Sequence, residues 1–88
     1  MGERPYQAYE NNGQIFRFHA DEDGTLHVLA SGEATRADVY NCFWNGERTF
    51  DPKFRRFVSR SATHVLYWAW YDNVEGNDVV VISCRRPS

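Results

Sequence analysis

Residues 54–71 read FRRFVSRSATHVLYWAWY, and the period of their side chains sets the class of fold. The runs 54–61 and 63–71 are rich in β-branched and aromatic residues, which suit a pleated, half-buried surface better than a helix. Downstream, DNVEGN (72–77) is a turn-forming run, and DVVVISCR (78–85) supplies a third extended segment. The three read as a meander of antiparallel strands. The last of them is apolar on both sides, with Val79 and Val81 against Val80, Ile82 and Cys84, so it is expected in a central or helix-covered position.

Upstream lies the clearest helix, in SGEATRADVYNCFWNG (31–46). Thr35 precedes Asp38 by three residues in the manner of a capping box, and Gly46 stands where a C-terminal glycine is wanted, which predicts a helix over about 36–45. Val39, Cys42 and Phe43 then share one stripe suited to packing on a sheet. QIFRFH (14–19) alternates as a strand does, and TLHVLA (25–30), after the turn signal DEDG, reads as a second hairpin arm or as a helical turn. Pro52, after Asp51, either opens a short helical turn or breaks the chain before the next strand. Residues 1–13, with Pro5 and the NNG turn, look like a polar lead-in. The sum is one α+β domain over 14–88: a small, mostly antiparallel sheet, made of the C-terminal meander and an N-terminal strand or hairpin, with one main helix on one face.

Composition agrees with a single small core. The 88 residues are 42% hydrophobic and 16% aromatic, too apolar for a disordered chain. No run approaches the length that spans a bilayer and the first residues lack an apolar leader, so a cytoplasmic protein without membrane contact is expected. Cys42 and Cys84 are isolated and set among apolar neighbours, as buried free thiols are. Neither they nor His19, His27 and His64 show a ligand-pair spacing, so no metal and no cofactor is expected.

The net charge of −2 is unevenly spread. Residues 1–44 carry 3 arginines against 7 acidic residues, whereas residues 45–88 carry 7 cations against 5. Arg48, Lys53, Arg55, Arg56 and Arg60 face Asp51 alone within 48–60, a local basic patch able to bind phosphate on an acidic chain.

Metal-free RNA cleavage requires a base or orienting group for the 2′-hydroxyl, cations for the charge on the phosphate and an acid for the leaving oxygen. Arg56, Arg60 and His64 offer such a set: the two arginines share a strand face, and a tight connection at 61–63 would start His64 beside Arg60. Lys53, Arg55, Arg85 and Arg86 are the further candidates for RNA contact; the same residues also serve as solvated cations that discourage strand-to-strand aggregation. Trp68 and Trp70 alternate with Tyr67 and Tyr71. One pair of rings must meet the helix and the other is left for RNA stacking or for a partner, and the two tryptophans are the candidates for partner binding.

The run HVLASGEATRADVYNCFWN (27–45), followed by a basic strand, an apolar strand and VVVISCRRPS (79–88), resembles the BrnT-type toxins of bacterial type II toxin–antitoxin operons and their RelE-like relatives. The resemblance is carried by His27, Gly32, Thr35, the Val39/Phe43 stripe and Ile82-Ser83-Cys84-Arg85. A second histidine usual in the family is replaced by Ala30 and Ser31, and its Gly-Arg pair by His64 and Val65. The resemblance implies a metal-independent endoribonuclease acting on RNA, with a cognate antitoxin covering its basic face. The competing expectation is a small non-enzymatic module, such as a phage or mobile-element product, that grips a host protein through the Trp68/Trp70 face. Pairing of aromatic sheet faces in a homodimer is compatible with either.

Overall fold

The structure, a computed structural model, describes residues 5–87. It is an α+β domain with six strands in one sheet: β1 (Tyr6–Asn11), β2 (Gln14–His19), β3 (Glu47–Asp51), β4 (Arg56–Arg60), β5 (Val65–Trp70) and β6 (Val79–Arg85). Their spatial order is β1-β2-β6-β5-β4-β3, and one helix, α1 (Arg36–Asn45), packs on one face. Neighbouring strands are antiparallel except β2 and β6, which run parallel. The parallel pair follows from the path of the chain, which leaves β2, forms α1 and the β3–β5 meander, and returns with β6 to the middle of the sheet. There β6 is flanked by β2 and β5, with Val79 and Val81 buried under the helix and Val80 partly covered on the other side.

The helix forms where the capping signals stand. Asp38 N–H donates to Thr35 Oγ1 at 3.3 Å and Thr35 N–H donates to Asp38 Oδ2 at 2.8 Å, satisfying two amides that would otherwise lack partners. Val39, Cys42 and Phe43 are buried against the sheet. Phe43 meets Phe16 and Trp68 edge-on, with ring centroids 5.0 and 4.9 Å apart. Gly46 caps the helix with an extended backbone, φ −78°. Its small size is needed for a different reason: a Cβ there would lie 2.9 Å from the Arg60 carbonyl oxygen and closer still to that of Cys42.

Two segments depart from the sequence reading, and a third takes one of its two alternatives. Residues 6–11, read as lead-in, form β1 against β2, while residues 1–4 fall outside the described residues. Residues 47–51 form an edge strand that the sequence did not announce. Of the two readings open for 25–30, the helical turn is the one found: a single bridge, Ala20 with Leu26, precedes a 3-10 turn at His27–Leu29. No helix among the described residues is long and apolar enough to cross a membrane.

A β-bulge in β6 re-phases the end of the strand. Tyr67 pairs with Ser83 but Trp68 pairs with Val81, which leaves Ile82 as the extra residue. Val79 and Val81 face α1, and after the bulge Cys84 does too, opposite Leu66. Cys84 was expected on the other side from Val79 and Val81; uninterrupted alternation would have put it there, and would have turned Arg85 toward the helix.

Candidate functional site

Alternation along β4 and β5 divides the side chains between two faces of different character. Phe57, Ser59, Leu66 and Trp68 face α1. Arg56, Val58, Arg60, Val65, Tyr67 and Ala69 face the side that no helix covers, where the pairing sets Arg60 beside Val65 and Val65 beside Arg85. The bulge at Ile82 is what brings Arg85 to this face. The next row across the sheet is Val58, Tyr67 and Ser83, so the Tyr67 ring lies diagonally between cations. Arg56 Cζ stands 4.4 Å from the ring centroid and Arg85 Cζ 5.8 Å from it, within the range of cation–π attraction.

A concavity of about 420 Å³ opens between Arg60, Tyr67, Arg85 and Arg86, floored by Val65. Arg56 Nε is 3.5 Å from Asp51 Oδ2, an ion pair without a hydrogen bond. Among the described residues Arg60, Arg85 and Arg86 form no ion pair. The guanidiniums of Arg60 and Arg85 therefore share a concavity with Tyr67, joined by that of Arg86, whose charge also acts on Asp38, an arrangement suited to phosphate or carboxylate groups.

The expected catalytic set separates. Arg56 and Arg60 share the open face, but His64 lies on the other side, because the register pairs Arg60 with Val65. The connection is tight, as Ser61 Oγ accepts from Thr63 N–H and His64 N–H at 3.2 and 3.0 Å. Tightness fixes the register without aligning the side chains. His64 is buried, with Nε2 2.9 Å from the Glu33 carbonyl and Nδ1 2.9 Å from Thr63 Oγ1. A carbonyl only accepts, so Nε2–H donates to Glu33, while Nδ1 meets the Thr63 hydroxyl.

Asp38 Oδ2 lies 3.7 Å from Nε2. Its carboxyl is held below the ordinary aspartate range, first by the Thr35 amide, then by the Thr35 hydroxyl, with smaller help from the charges of His64 and Arg86 and with desolvation opposing. This cluster ties the start of α1 to the start of β5.

The remaining candidates spread out. Lys53 and Arg55 are exposed in the turn between β3 and β4, away from the Tyr67 row. The expectation of a Trp68/Trp70 binding face is corrected for Trp68, whose indole meets the helix, whereas Trp70 stays partly exposed. Trp68 is fully buried, stacked on Phe57 at 4.5 Å, and its Nε1–H donates to Ser59 Oγ at 3.0 Å. Trp70 is half-buried against Phe43. Both cysteines are buried and free; Cys42 Sγ lies 3.2 Å from the His64 carbonyl, and burial pushes the Cys84 thiol up to about 12. Among the described residues no three His, Cys, Asp or Glu side chains gather as a metal site would require.

Tyr67 entered the sequence reading only as part of one of two alternative ring faces. Its place on the face of Arg56 and Arg60 follows from the register that sets Arg60 opposite Val65, which periodicity alone does not reveal. Compared with models of known protein families, with curated proteins and with solved structures, the chain matches none.

Proposed function

We propose that the chain acts on RNA through the open face of its sheet, as a toxin-like protein of the kind its sequence resembles. One observation carries the reading: Arg60, Arg85 and Arg86, none of them in an ion pair among the described residues, line one concavity with Tyr67 on a face that no helix covers. Guanidiniums take the phosphates, and an aromatic ring on a sheet face is a platform for a base. For cleavage without a metal, Arg56 and Arg60 stabilise the charge developing on the phosphate. The group beside them able to exchange a proton is the Tyr67 phenol, while His64 holds the scaffold.

Induced expression in a bacterial host, with growth and bulk RNA followed together, tests the reading. Growth arrest with RNA decay, relieved by Arg60→Ala with Arg85→Ala, supports it, and purified protein should then cleave RNA in excess chelator. Tyr67→Phe should lower that cleavage by about a hundredfold or more, the usual scale of general acid–base assistance. Normal growth, intact RNA and no RNA retained by the purified chain would sink the proposal.

A second reading, partner binding without catalysis, has its own observation. Phe50 and Phe54 are 53% and 60% exposed beside β3, an edge strand with one unpaired side, and a partner strand could add there.

A further inference from the structure

On the helix side of the sheet, α1 stops at Asn45 and leaves one corner uncovered. Phe50 and Phe57 pair across β3 and β4 with centroids 4.9 Å apart, and Trp70 stands edge-on to Phe57 at 6.4 Å. These three rings wall a cavity of about 460 Å³, in the size range of small-molecule pockets.

Two charged residues of opposite sign stand at its rim, Arg55 and Glu75. Left-handed backbone brings each to the rim. Arg55 itself has φ 52°, and Asp72 and Asn73, with φ 55° and 57°, turn the chain out of β5 toward Glu75. Among the described residues neither Arg55 nor Glu75 lies within ion-pair distance of an opposite charge, and Glu75 feels the charge of Arg48. The cavity therefore combines apolar walls with an anionic acceptor and a cationic donor, neither of them held in a close pair.

The geometry points to a nucleobase site selective for guanine. The walls suit a planar ring of any base. The rim distinguishes among bases, because guanine alone presents two adjacent donors, N1–H and the N2 amino group, for a carboxylate, and two adjacent acceptors, O6 and N7, for a guanidinium. Adenine, cytosine and uracil each leave at least one of the two charged residues without a matched pair. The site is separate from the Arg60/Tyr67/Arg85 face, so it stands whether or not that face handles RNA.

The test is titration of the purified chain with the four nucleoside 5′-monophosphates, which carry the same phosphate and differ in the base. Binding is followed through the Trp70 indole N–H in NMR spectra. The expected result is that the guanine nucleotide binds about tenfold or more tightly than the others, the scale of one matched bidentate pair. Glu75→Gln should bring it down to their level, and Arg55→Gln should weaken it about tenfold. Both side chains are exposed, so both variants should fold, as circular dichroism will show. The preference should persist in Arg60→Ala with Arg85→Ala, which separates this site from the phosphate-binding face. Equal affinity for all four nucleotides, a preference untouched by Glu75→Gln, or an unperturbed Trp70 signal would overturn the inference.

Discussion

The two faces of β5 carry the same kind of residue to opposite ends. On one, Leu66 and Trp68 are fully buried under α1; on the other, Val65 and Tyr67 stay partly exposed among Arg56, Arg60 and Arg85. Both faces are aromatic, so hydrophobicity alone does not separate core from site. What separates them is the company on the neighbouring strands. Ser59 gives Trp68 Nε1 a partner in the dry interior, whereas the open face surrounds its ring with charges that need water or a ligand.

The comparison breaks most severely at Trp68. Trp68→Ala should cost about 3–5 kcal/mol, comparable with the whole stability of a domain this small, about 5–15 kcal/mol. Chemical denaturation should show a chain largely unfolded or close to it. A variant as stable as the wild type would remove Trp68 from the core.

Deleting Ile82 should come next, on the order of 0.5–3 kcal/mol, the ordinary range for a single change. Its more telling effect is positional. Removing the extra residue lets Val81, Ser83, Cys84 and Arg85 keep their partners Trp68, Tyr67, Leu66 and Val65 in a regular ladder, so Cys84 should stay as protected from a thiol reagent as in the wild type, and Arg85 should stay on the open face with RNA binding retained. Labelling of Cys84 in the deletion variant would mean that Ile82 is not the residue that sets the phase of the strand.

Much of this arrangement was legible in the sequence, for physical reasons. The Thr35/Asp38 box and the Val39/Cys42/Phe43 stripe are local signals, and α1 lies where they put it. Arg56 and Arg60 share a face because alternation within one strand is also local. The central place of β6 followed from its two apolar sides. Edge strands β1 and β3 were illegible because an edge needs no apolar alternation: all of β3 except Asp51 is exposed. The faces of Arg85, Cys84 and His64 depend on register between strands, and a bulge or a one-residue offset reverses them without changing composition. The indole face was misassigned for a similar reason, since Trp68 and Tyr67 are interchangeable by periodicity until the position of the helix is known.

A smaller effect sharpens the contrast at the edge of the covered face. Thr35→Ala should cost about 1 kcal/mol through the lost cap. The depressed Asp38 carboxyl adds stability that is present above the ordinary aspartate value of about 3.9 and lost as the pH falls through the lower folded value. Relative to Asp38→Asn, the wild type should therefore lose stability as the pH is lowered from about 5 to about 2, and a constant difference across that window would remove Asp38 from the cap. The contribution is small because the group is largely solvent-accessible.

Smallest in stability and largest in consequence is Arg60→Ala with Arg85→Ala, expected to change folding by no more than about 0.5 kcal/mol, as exposed substitutions do. The most direct measurement is the binding of a fluorescent single-stranded RNA to this variant and to the wild type across a range of salt concentrations. The wild type should bind with a log–log salt slope of roughly −2, as for about three phosphates neutralised on a single strand. The double variant should bind far more weakly and with a slope shallower by about one or more. Equal affinity and equal slope in the two proteins would contradict the assignment of the open face to RNA.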